Sequence, residues 1–129
     1  MKMKFAFLIA ALAVLCAAVP MGAHHSITGE YDASKTVALQ GTVTKIEWTN
    51  PHARMYIDVK QPDGSVVNWN LELLAVSALV RAGWTRTAVK IGDTVSIEGI
   101  QARSGASIAN ARAVVLPDGK KVFSGTADQ

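Results

Sequence analysis

The histidines carry the most pointed chemistry in this chain. There are three: His24 and His25 stand side by side in "MGAHHSITGEYD", and His52 follows Asn50 and Pro51. The pair falls where an apolar leader ends. "MKMKFAFLIAALAVLCAAVPMGA" has Lys2 and Lys4 at its start, an apolar run from Phe5 to Val19, and small residues up to Ala23. That is the three-part plan of a secretory signal peptide, too short and Ala-rich for a membrane span. Residues 1–23 are therefore expected to be removed on export to the periplasm. A cut after Ala23 would make His24 the N-terminus, so its amine and imidazole can grip one metal ion, with a further imidazole from His25 or His52. A cut after Gly22 would leave Ala23-His24-His25, in which the amine, two backbone amides and the third-position imidazole wrap a square plane. Either nitrogen set suits Cu(II) or a similar divalent ion. Copper is the expected ion, and no other cofactor is expected. The plainer alternative is a pair of solvated histidines in a polar arm, with His52 bonded to its local turn.

Charge and composition narrow the classes. Lys2 and Lys4 leave with the leader, so the formal charge falls from +3 to +1. A nearly neutral domain offers no electrostatic case for a nucleic-acid partner. Cys16 is the sole cysteine and lies in the leader, so neither a disulfide nor a thiolate ligand is expected in the mature chain. A lipoprotein signal is the competing reading of Cys16, weakened by the bulky Leu15 before it. No G-x-S-x-G elbow, Gly-rich phosphate loop or H-E-x-x-H pair occurs, and the protein is not expected to be an enzyme. It is not expected to be an integral membrane protein either.

The elements that must position His52 can be read from periodicity. Residues 24–36 are polar with little period and are expected to form an arm. From Val37 the chain alternates as a strand through Leu39, Gly41 and Val43, then shifts face to Ile46 and Trp48, as a bulge or bend near Gly41 would require. Asn50-Pro51 ends that strand. Ala53, Met55, Ile57 and Val59 mark a second strand and Val67, Trp69, Leu71 and Leu73 a third, joined by the turn at Pro62-Asp63-Gly64. Leu74, Ala75, Ala78, Leu79 and Ala82 fit a short helix stopped by Gly83. Val95, Ile97 and Gly99 give a fourth strand, and "SIANARAVV" a fifth. The three tryptophans are expected to close the core. Three strands, one short helix and two strands over residues 37–123 predict an all-β domain built as a five-stranded Greek-key barrel of the oligonucleotide/oligosaccharide-binding (OB) type, with a plain antiparallel sandwich as the alternative. Residues 124–129 are expected to fray.

Strands two and three would turn Arg54, Tyr56, Asn70 and Glu72 outward, along with Asp58 and Asn68. Barrels of this type bind ligands on that surface. A second expectation is therefore an envelope module that captures a protein, peptide or glycan there; a third is an accessory subunit of an envelope complex. Glu72 is read as an ion-pair partner of Arg54 or Arg81 in preference to a metal ligand.

The blocks "AHHS" (23–26), "YD" (31–32), "GTVTKIEWTNPHA" (41–53), "NWNLEL" (68–73), "RAGWTR" (81–86), "GDTVSIEG" (92–99) and "ANARAVVLPDGKKVF" (109–123) resemble a family of small exported bacterial proteins. It is catalogued as domain of unknown function six-one-five-two. The resemblance implies export and a small β-barrel, and implies no activity. It departs at Leu74-Ala75-Val76-Ser77, where relatives mark the helix start more sharply. A looser likeness links strands one and four to bacterial periplasmic OB-fold proteins, at the level of fold only.

Overall fold

The computed structural model describes residues 27–123. The leader (1–23), His24, His25 and the tail (124–129) lie outside the described residues. The order is α1 (Ile27–Glu30), β1 (Tyr31–Glu47), β2 (Arg54–Lys60), β3 (Val66–Glu72), α2 (Val76–Arg81), β4 (Thr94–Ala102), β5 (Ile108–Val115) and β6 (Lys121–Phe123). α1 is a single turn. Among the described residues no helix is long and apolar enough to cross a membrane.

The strands form one sheet in the order β3-β2-β1-β4-β5-β6, and β3 also pairs with β5. Sheet neighbours run antiparallel, while β3 and β5 meet in parallel through Asn70↔Ile108, Leu71↔Ala109 and Glu72↔Asn110. The pairings β1-β2-β3-β5-β4 thus return to β1. The mostly β character with one short helix between β3 and β4 agrees with the sequence. Two details differ. The arm expected over 24–36 is already β1 from Tyr31 onward, paired to Ala102 and then, past an irregular stretch, from Thr36 to Ile100. A sixth strand, β6, follows the turn at Gly119 and pairs with β5.

β1 serves two partners. Its first part pairs with β4 as far as Thr42↔Thr94, and Thr42 onward pairs with β2. The register slips between Val43 and Lys45, which is the bulge that moves the apolar face from Val43 to Ile46. At Gly41 a side chain is impossible without backbone movement, because a Cβ there would sit 2.6 Å from the Asp58 carbonyl oxygen. A Cβ at Gly99 would meet the Asn110 carbonyl oxygen in the same way.

Alternation along each strand turns Val43, Met55, Ile57, Leu71, Ile97 and Val114 into one buried cluster, to which α2 adds Leu79 and the following loop adds Trp84 and Val89. Trp69 and Trp84 are buried as expected. Trp48 is half-buried, and the Arg86 guanidinium lies over its ring at 5.7 Å, a cation–π contact. Trp84 Nε1 has no hydrogen-bond partner among the described residues. α2 stops at Gly83, whose φ of +94° suits glycine alone at the helix exit.

Candidate functional site

β2 and β3 pair in register as Arg54↔Glu72, Tyr56↔Asn70 and Asp58↔Asn68. The same period that buries Met55, Ile57, Trp69 and Leu71 puts these six on the other face. They bond partly among themselves and partly to residues of β1 and the β1–β2 loop. Arg54 Nη1 donates to Asn70 Oδ1 at 3.1 Å, and Asn68 Nδ2 donates to Asp58 Oδ1 at 2.8 Å. Tyr56 Oη donates to Glu47 Oε2 at 3.2 Å; Lys45 pairs with Glu47 and stands 5.1 Å from the Tyr56 ring centre.

Glu72 breaks the outward pattern. It is only 5% exposed, because β5 closes on the end of β3 at Asn110 and the Tyr31 side chain reaches it from the start of β1. A buried carboxylate must be paired and hydrogen-bonded to be tolerated, and this one is served on both oxygens. Oε2 accepts from Tyr31 Oη at 2.7 Å and from Arg54 Nη2 at 3.2 Å, while Oε1 lies 3.0 Å from His52 Nδ1. The ion pair expected with Arg54 is present; its outward exposure is not.

His52 sits in the loop between β1 and β2, as the proline-terminated first strand predicts. Two backbone bonds fix the loop's exit against the end of β3: Ala53 N–H donates to Leu74 O at 3.0 Å and Leu73 N–H to Ala53 O at 2.9 Å. This brings the imidazole beside Glu72 with 43% of its side chain exposed. Sequence reasoning missed Tyr31. Its partner is 41 positions away, and no local period reports a contact of that kind; the sole signal was an aromatic residue in an otherwise polar arm.

Burial, then the hydrogen bond to Glu72 and its charge, push the Tyr31 phenol far above its ordinary range. Tyr31 is thus a proton donor at every pH near neutrality. The phenol ionises more readily in the unfolded chain, so the native state binds the extra proton in alkali and stability falls as pH rises. Below a pH of about 10 the contribution is fully present; above it, it is progressively lost. Urea midpoints at two alkaline pH values should drop further for the wild type than for Tyr31→Phe, and equal drops would contradict the assignment.

Among the described residues no cluster of three or more His, Cys, Asp or Glu side chains is placed to hold a metal ion. His52 is the one histidine of the expected set that the structure describes; it brings together Tyr31, Arg54, Asn70 and Glu72, while Tyr56 belongs to the neighbouring Glu47–Lys45 group. Searches of curated proteins and of solved structures find no match. The model of the family of unknown function DUF6152 matches residues 11–111, spanning the histidine pair, the His52 loop and the Glu72 strand, and the chain belongs to that family.

Proposed function

We propose that this is a non-enzymatic periplasmic binding protein, exported by cleavage of residues 1–23, that holds Cu(II) or a similar divalent transition metal through its mature N-terminus, His24, His25 and His52. The domain is read as an OB-like Greek-key barrel, in keeping with the ring of pairings β1-β2-β3-β5-β4. One observation carries the metal reading: a single carboxylate, Glu72, bonds both His52 and Tyr31. Tyr31 lies six positions after His25, a stretch that spans at most about 20 Å when extended. Chain length thus caps the distance of His25 from Tyr31, and the reading requires the pair to meet His52 there. A free amine and imidazoles meeting there make the nitrogen-rich set that favours Cu(II).

The alternative, capture of a protein, peptide or glycan at Arg54, Tyr56, Asn70 and Glu72, has less support, because those groups already have partners within the protein and a ligand would have to displace their bonds.

Calorimetry with Cu(II) on periplasmically processed protein tests the metal reading. His52→Ala and the His24→Ala/His25→Ala pair should each weaken binding by about tenfold or more, a loss of roughly 1.4 kcal/mol per decade. Imidazoles ligate only when neutral, so affinity should also decline in acid. Wild-type affinity in both variants would overturn the proposal.

A further inference from the structure

We infer that the outer face of β1, β4 and β5 is a docking groove for an extended peptide carrying one acidic and one basic residue six positions apart, the acid seated on Arg112 and the base on Asp93. This surface is separate from the outward face of β2 and β3, and the inference does not depend on the metal reading.

Three adjoining hollows of about 550, 250 and 490 Å³ run along that face, from Thr36 and Arg112 past Glu98 to Thr94 and Asp93. The first two share Ala38 and Glu98, and the last two share Gln40 and Ser96. They therefore form one trench parallel to the strands. Leu39, Ile97 and Val114, which alternate with its lining residues, pack into or against the core, so the trench lies outside the ring of strands.

A bulge puts Arg112 there. β4 pairs Glu98 with Ala113 and Gly99 with Ala111, which leaves Arg112 as an extra residue with no partner on β4. Ala111 and Val114 both enter the core, so Arg112 and Ala113 fall together on the outer face. Gly99, level with them, has no side chain to fill the space. The Arg112 side chain is half-buried and pairs with no carboxylate among the described residues. Glu98, midway along the trench, pairs instead with Lys121 at 3.4 Å. A guanidinium partly withdrawn from water without a counter-ion is a seat for a carboxylate.

The far end has the opposite sign. Asp93 Oδ2 accepts from the Lys90 N–H at 2.8 Å, and Oδ1 has no partner among the described residues. Along the trench the side chains of Thr36, Gln40, Thr94 and Ser96 bond no described residue either, whereas Arg54, Tyr56 and Asn68 on the β2–β3 face are all engaged. Hydroxyls and an amide that can both donate and accept match a peptide backbone, which offers one donor and one acceptor per residue. No aromatic ring is among the residues lining these hollows, so bases would find no stacking platform.

Register sets the spacing. Arg112 stands level with Glu98 and Gly99, five and six positions after Asp93, a separation of roughly 16–20 Å. An extended peptide covers that span in five or six residues, and only the even number turns both charged side chains to one face.

The test titrates the full chain with peptides capped at both ends, in which Glu and Lys are separated by Ser and Ala, and follows amide shifts by NMR. With the charges six apart, in one of the two orders, shifts should concentrate at Ala38, Ser96, Glu98 and Ala113. Moving the charges to five apart should weaken binding by about tenfold, as should Arg112→Gln. Asp93→Asn, which keeps an oxygen for the Lys90 N–H, should also weaken it. Arg112→Glu should recover affinity for a peptide with Lys in place of its Glu, which separates lost charge recognition from a damaged fold. No saturable shift in either order, equal affinity at both spacings, wild-type affinity in Arg112→Gln or shifts confined to β2 and β3 would each overturn the inference. So would shifts in the trench with a neutral oligosaccharide such as chitotetraose and none with peptide.

Discussion

Glu72→Ala is expected to lower the unfolding free energy by about 3 kcal/mol, read as a drop in the urea midpoint with little change in slope. The loss comes from what is left behind. Tyr31 Oη, in a residue 1% exposed, would keep its proton with no acceptor, and an orphaned buried donor costs roughly 1–3 kcal/mol. Arg54 would lose one of two partners but retain Asn70 Oδ1. Because 30% of its side chain already meets solvent, its share of the loss is modest. The rest is packing removed where β3 meets β5. A midpoint equal to the wild type's would show that Glu72 does not tie Tyr31 to the sheet.

Leu79→Ala should cost slightly more, about 3–4 kcal/mol, and lower the melting temperature by about 15 °C in a domain of this size. α2 has six residues and no side-chain cap at its start, far short of what holds a helix alone in water. Leu79 is its one buried residue, at 0% exposure. The helix is therefore held chiefly by Leu79, inserted among Trp84, Val89 and the strand residues of the core, with Val76 packed less deeply beside it. Truncating Leu79 leaves a cavity and removes the main reason for the helix to dock. Val80→Ala on the same turn, 58% exposed, should change stability by no more than about 0.5 kcal/mol. Circular dichroism melts of the two variants make the comparison, and a melting point for Leu79→Ala within a few degrees of the wild type's would contradict it.

Most strands were legible in the sequence because one face of each is buried, and the period of two then shows plainly in stretches such as Met55, Ile57 and Val59. The start of β1 was not legible. Residues 33–36 are exposed, so no apolar face betrays a strand that β4 holds from one edge. β6 is too short to show a period. Glu72 was read outward because alternation alone puts it there; its burial depends on Tyr31 and β5, which arrive from remote parts of the chain. His52 was found by its type and its place after a proline, whereas the partner that orients it was not visible. Local pattern reports which face of an element is apolar. It does not report which distant side chain will come to lie across the polar one.

The sharing of β1 between two partners bears on how the domain folds. β2 and β3 are joined by a tight turn at Gly64 and can zip together locally, Lys60 meeting Val66. The first half of β1 instead waits for β4, with Thr36 finding Ile100 and Leu39 finding Ile97. Closing so long a loop is entropically unfavourable before any contact rewards it, and domains dominated by such pairings fold in milliseconds to seconds. The first half of β1 is thus placed later than its second half, which pairs with the neighbouring β2, and Tyr31 at its head reaches Glu72 only once β4 has paired.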